Sequence, residues 1–159
     1  MTIISMIRRA QRSAPVDVDG LCADLGLRVN QAWLDDDISG ELVRVSPDKF
    51  EINVNASHPT TRQRFTTAHE LGHFIYHRDL IGDGLDDDRA YRSTSKGRYH
   101  NTRIGRPQET QANQFAANLL MPWGLIEALR ADGLSRKQIA KKLAVSEQAL
   151  AIRLGDSYP

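Results

Sequence analysis

The sequence predicts an α+β protein, with a small sheet formed early in the chain and helices after it. Three short strand-like segments, about 27–33, 38–45 and 50–55, are separated by polar turns such as DDD and SPDK. A long helical pattern over about 60–77 follows the third strand directly. Beyond it the strong periodicity is helical again, over about 107–120, 123–131, 135–143 and 146–154.

Each element has a local cause. Ile3, Ile4, Ile7 and Ala10 share one face of a short amphipathic helix expected to dock on the core. Arg8 and Arg9 follow that apolar run, the reverse of a signal peptide's charge order. Pro15 and Gly26 bracket a second helix, about 16–25, at the positions these residues favour. In the third strand Phe50, Ile52 and Val54 alternate with Glu51, Asn53 and Asn55, so one face is expected to be buried. Ser57 to Thr61 supply cap residues for the long helix, and Met121-Pro122 interrupts the next one. Residues 79–106 read as an irregular loop, in which Asp86-Asp87-Asp88 stands apart from Arg89, Arg92, Lys96, Arg98, Arg103 and Arg106. The expected division is one domain over 1–122 and a helical extension over 123–159 packed on it.

Composition narrows the function classes. A chain of 159 residues with 40% hydrophobic and 26% charged residues can build one self-sufficient core. A net charge of +1 gives no global field to recruit nucleic acid or an anionic membrane. The lone cysteine excludes an intrachain disulfide, and Cys22 in LCADLGL reads as a small buried hydrophobe rather than a catalytic thiol. No stretch approaches the roughly 18 apolar residues of a membrane span. A cytoplasmic location is expected.

One string carries chemistry. HELGH, His69 to His73, should arise by chance in under about one percent of chains with this histidine and glutamate content. Histidines four positions apart lie on one helix face and can reach one ion. Glu70, on an adjacent part of the helix, can reach a water there and take its proton. A catalytic zinc needs a third protein ligand and an open fourth position. His77 continues the stripe, but roughly 12 Å of helix rise separates it from His69, so packing or a hydrogen bond to a ligand suits it better. Asp79 stands where metzincins carry a third histidine, yet no glycine turns the helix back toward the ion. His58 and His100 fall in predicted loops and read as surface residues. Glu109 is the strongest candidate, beside its plainer reading as a carboxylate favoured at a helix N-terminus. Asn113, one turn on, makes the pair resemble the E-x-x-x-D arrangement of gluzincins, in which the second residue orients a histidine.

Two phrases together resemble the ImmA/IrrE metallo-endopeptidase family. Arg62 to His73, RQRFTTAHELGH, is similar to its RxRFTxAHELGH, and Glu109 to Pro122, ETQANQFAANLLMP, to its ExxANxFAAxLLMP. Both stand in family order. The resemblance implies a zincin-like minimal metalloprotease fold, with His69, His73 and Glu109 as metal ligands and Glu70 as catalytic base. It implies one zinc ion, with manganese or iron as other divalent metals such a site can take. Compact members of the ImmA kind commonly act on a helix-turn-helix repressor in mobile elements, stress responses or toxin–antitoxin-like pairs, so a repressor encoded nearby is the expected substrate. The chain is too short to hold the extra sensory domain of the IrrE branch. Gluzincin-like sites hold an extended peptide along an edge strand, which makes strand 50–55, with Asn53 and Asn55, the expected substrate-binding segment. The charged loop is expected to supply selectivity.

The tail also reads as helix-turn-helix. Ile139, Ala140, Leu143, Val145, Leu150 and Leu154 take interior positions, and Ser146 caps the second helix. Ala144 replaces the usual turn glycine, and Arg153 is the only basic residue on the would-be recognition helix. The rival to a peptidase is thus a regulatory DNA- or protein-binding module whose metal site is structural or vestigial. The intact His69, Glu70, His73 and Glu109 argue against it.

Overall fold

The computed structural model describes residues 1–88 and 103–157. Seven α-helices and four strands lie within them: α1 Ile3–Ala10, α2 Val18–Asp24, β1 Arg28–Ala32, β2 Ile38–Ser46, β3 Lys49–Asn55, α3 Thr60–His77, β4 Gly84–Asp88, α4 Arg106–Leu120, α5 Trp123–Ala131, α6 Arg136–Leu143 and α7 Glu147–Leu154. The α+β expectation holds. No helix among the described residues is long and apolar enough to cross a membrane.

The four strands form one mixed sheet in the order β1-β3-β2-β4. β2 and β3 make a hairpin, β1 joins β3 in parallel, and β4 pairs antiparallel with β2. Leu42, Ile52, Val54 and Phe50 are buried, as the alternation in β3 predicts. α3 lies across that face. At Gly40 the approach is so close that a Cβ would stand 2.5 Å from Thr66 Cγ2 and 2.8 Å from the Asn53 carbonyl. The opposite face carries a polar row in which Asn30 donates to Asn53 Oδ1 at 3.1 Å and to Glu51 at 2.9 Å.

Two expectations are corrected here. β3 lies inside the sheet, with both of its edges already hydrogen bonded, so it has no free edge to receive a peptide. The segment read as irregular from residue 79 contains a one-turn 3-10 helix, Arg78–Leu80, and then β4. GLDDD hid this strand because its acidic residues oppose strand propensity, while pairing with β2 and burial of Leu85 supply what propensity lacks. Arg89, Arg92, Lys96, Arg98 and His100 lie outside the described residues.

At the N-terminus Met6, Ile7 and Ala10 meet the core, whereas Ile3 and Ile4 remain exposed. The docking stripe is therefore shorter than expected. Gly26 takes φ +79° just past α2, as its capping position requires. Cys22 is fully buried, and burial pushes its thiol up to about 12, which fits a packing residue. Ile126, Ile139, Leu143 and Leu150 from the last three helices join the same buried cluster as Leu71 and Leu120.

α3 also packs against α4 at small residues. A Cβ at Gly72 would stand 3.2 Å from Ala112 Cα, so the two backbones nearly touch. Ala112→Leu is expected to destabilise the fold by about 1–3 kcal/mol, read by urea denaturation, because the helices must separate to admit it. Ala144, between α6 and α7, holds a left-handed backbone at φ 54° and ψ 44°, where a side chain is strained. Ala144→Gly should stabilise by about 0.5–1 kcal/mol, the relief of that strain less the added freedom of the unfolded chain.

Candidate metal centre

The middle of α3 is buried without interruption from Thr66 to Phe74, because the sheet covers one side and α4 the other. His69 and His73, one turn apart, bring their Nε2 atoms to 3.1 Å of each other. Glu109, in the first turn of α4, reaches the same point, with Oε1 2.5 Å from His73 Nε2 and Oε2 3.6 Å from His69 Nε2. α4 starts where it must for this. Gln108 accepts the Gly105 N–H at 2.9 Å, and the Glu109 N–H donates to the Gly105 carbonyl at 3.0 Å.

The far sides of both rings are held. His69 Nδ1 lies 2.8 Å from Asn113 Oδ1, which can only accept, so that nitrogen carries the proton and Nε2 presents a lone pair. His73 Nδ1 lies 2.9 Å from His77 Nδ1, and His77 Nε2 lies 2.7 Å from Gln111 Oε1. One proton pattern satisfies the chain: His77 donates from Nε2 to Gln111, and His73 donates from Nδ1 to His77. His73 Nε2 then also presents a lone pair. Burial lowers the His77 pKa from its usual value, which favours the neutral ring of this pattern, although the Gln111 hydrogen bond opposes it.

The arrangement fits a metal ion. Two imidazole lone pairs and a buried carboxylate converge within 3.6 Å. A proton can settle one of these contacts, and a divalent cation settles all three. Two zinc–nitrogen bonds of ordinary length at the tetrahedral angle would span about 3.3 Å, close to the separation seen. His69, Glu70 and His73 also place one donor atom each within 4.8 Å of one another. We favour Glu109 over Glu70 in the donor set, because its carboxylate stands directly against both Nε2 atoms. Glu70 is fully buried beside them, and its Oε2 lies 3.8 Å from where a Cβ on Gly40 would stand.

The structure thus brings His69, Glu70, His73, His77, Glu109 and Asn113 together. It does not bring Asn53 or Asn55. Asn53 donates to Glu41 on the face of the sheet away from α3, and Asn55 spends its amide on the Leu34, Asp35 and Ile38 carbonyls and its oxygen on Ser57. These are structural bonds, so both residues are corrected as substrate contacts. Asp79 is exposed in the turn after α3, and His58 meets the Asp36 carbonyl at 3.1 Å, away from the cluster. Sequence reasoning missed Gln111 and Gly40. Gln111 sits one helical turn before the apolar stripe residue Phe115, and no local pattern marks it as the end of a histidine chain.

Known proteins share this framework. The family model described as the IrrE N-terminal-like domain matches residues 22–155. The radiation response metalloprotease IrrE of Deinococcus radiodurans is 33% identical over 117 residues, covering 71% of this chain and 33% of that protein. The protein of the same name from Deinococcus deserti is 32% identical over 114 residues, covering 69% of this chain and 37% of its own length. The chain thus spans about a third of the length of these relatives. A Mycobacterium tuberculosis transcriptional regulator superposes with a TM-score of 0.60 at 21% identity, over 97% of this chain and 46% of that one, and shares the fold.

Removing any of the three converging donors should remove the metal. After loading with zinc as a probe ion, His69→Ala, His73→Ala and Glu109→Ala are each expected to lose most of it on dialysis, read by elemental analysis. Asn113→Ala and His77→Ala should keep the fold and weaken metal affinity by roughly 10–100-fold. Full zinc occupancy in Glu109→Ala would take that residue out of the donor set.

Proposed function

Because the chain belongs to the ImmA/IrrE family, whose shared part is the IrrE N-terminal-like domain, we propose that it is a zinc-dependent endopeptidase. One observation carries this reading: the fully buried carboxylate of Glu70 brings an oxygen within 4.8 Å of the donor nitrogens of His69 and His73, beside the point where Glu109 meets both rings. A purely structural zinc more often closes its coordination with four ligands and has no use for such a neighbour. When bound, zinc brings the pKa of water toward neutrality and polarises a carbonyl.

The protein's own residues do the rest. Glu70 takes the proton of the attacking water and passes it to the departing amine as the peptide bond breaks. Burial sharpens its role, since few waters compete for its oxygens. Asn113 and the His77–Gln111 pair hold the two imidazoles in the tautomer that turns Nε2 inward. Glu109 adds negative charge to the donor set and fixes the distance between α3 and α4.

The finer reading names the substrate. We take it to be a helix-turn-helix repressor or antitoxin-like protein encoded nearby, because this is what the family resemblance implies for a compact member. A cytoplasmic location belongs to the same reading, since such repressors act there. We place DNA contact outside the function. Arg153, the only base-reading cation available on α7, donates to the Met121 carbonyl at 3.0 Å and Asn118 Oδ1 at 2.7 Å, and stacks 4.6 Å over Trp123.

Glu70→Gln tests the chemistry. It preserves shape and hydrogen bonding while removing the base, so zinc content and melting temperature should be retained. Cleavage of a repressor co-expressed from the neighbouring gene should fall about a hundredfold or more. Cleavage at the wild-type rate by this variant would exclude Glu70 as the base.

A further inference from the structure

We propose that the free edge of β1, with the groove between it and α3, binds an extended acidic segment of a partner protein as an added strand. The proposal goes beyond the peptidase reading and does not depend on it. β1 pairs with β3 alone, so its other edge has no strand beside it among the described residues. The Ala32 carbonyl accepts the Ala56 N–H at 2.8 Å, which turns Ala32, and by alternation Asn30 and Arg28, toward β3. Val29 and Gln31 therefore turn their backbone N–H and C=O groups outward. No described residue bonds to these groups, and an extended peptide is what such a row recognises.

A groove of about 500 Å³ runs along this edge. Leu27 to Gln31 line it consecutively, whereas a groove lying on one face of a strand meets only every second residue. α3 supplies the facing wall with residues between Thr60 and Thr67. Val29 and Gln31 stand opposite Ile52 and Val54 in register, on the face of the sheet that α3 covers. A strand added at the edge continues that face, so every second side chain of it enters the groove. Leu27, Val29 and Val54 give those side chains apolar surface to meet. None of the converging donors lines the groove, which therefore stands apart from the metal centre.

Charge selects the occupant. Arg28 and Arg64 line the groove against one carboxylate, that of Asp19. Arg64 is already anchored, because its Nη2 donates to the Val16 carbonyl at 2.7 Å. Its Nε is buried and has no hydrogen-bond partner, a donor left open beside the groove. A glutamate on the groove-facing side of the added strand can accept from it in a charge-assisted bond. A lysine there meets two like charges. Self-pairing of β1 with a second copy fits less well, because residues 27–33, LRVNQAW, bring no carboxylate to Arg64.

The test uses the full Glu70→Gln chain and the probe peptide Thr-Val-Thr-Glu-Thr-Val-Thr, whose two Val and one Glu share one face of a strand. In amide NMR, the Val29 and Gln31 signals should move as this peptide is added. Its analogue with Gln for Glu should bind roughly tenfold more weakly, and the analogue with Lys more weakly still. Gln31→Pro removes one outward N–H and leaves the ladder to β3 intact, so binding should be abolished while the melting temperature holds. N-methylation of the peptide asks the same question without a variant. Methyl groups on one alternate set of its nitrogens should abolish binding, and on the other set should leave it. Probe-dependent shifts confined to other parts of the chain, equal binding of the Glu and Lys peptides, or binding that survives both blocks would overturn the site. So would Val29 and Gln31 signals that move with protein concentration alone, since a second copy would then hold the edge. The readout is binding, so loss of the peptidase reading would leave this result standing, and the reverse holds too.

Discussion

Two imidazole lone pairs and a carboxylate repel one another when they share a buried space, and much of this fold is arranged to force them together. The force is packing. Gly72 and Ala112 let α3 and α4 close to backbone contact, and Gly40 lets β2 close on α3 from the other side. Larger residues at any of the three would press against the facing element and strain the approach that brings the donors together. The apolar layers of Leu42, Ile52, Leu71 and Leu120 supply the free energy that holds this arrangement against its own electrostatics.

The polar residues around the donors follow from the same demand. Each histidine is fixed by what its Nδ1 meets, and in one case the fixing extends through a second ring to an amide on α4. α4 thus serves twice, with Glu109 facing the donors and Gln111 and Asn113 holding the rings from behind. Glu109 and Asn113 stand one turn apart on one face of the helix, and Gln111 between them points to another side, where it meets His77.

Much of this was legible in the sequence. HELGH sets two histidines on one face by period alone, and the boundaries of α3, α5 and α7 follow from periodicity, from Pro59 and Pro122 at the first two N-termini and from the Ser146 side-chain cap at the third, while no side chain caps α3. Glu109, with Asn113 one turn on, was already the strongest third-ligand candidate, although a plain helix N-terminal carboxylate would read the same, and the family resemblance added to it. What local pattern could not show was pairing between distant segments. β3 looked like an edge because it directly precedes α3, yet β1 reaches across to pair with it in parallel. β4 was hidden because its acidic residues carry no strand signal until β2 is placed beside them.

The order of the donors along the chain has a consequence for biosynthesis. His69, Glu70 and His73 leave the ribosome well before Glu109, and the α4 residues that hold both rings come later still. Domains tend to fold from the N-terminus as they are made. On the peptidase reading, a nascent chain therefore carries the base and half of its cradle without the group that completes it. Proteolytic competence arrives only once the later helix has docked, so neighbouring chains on the same polysome are spared a half-made hydrolase.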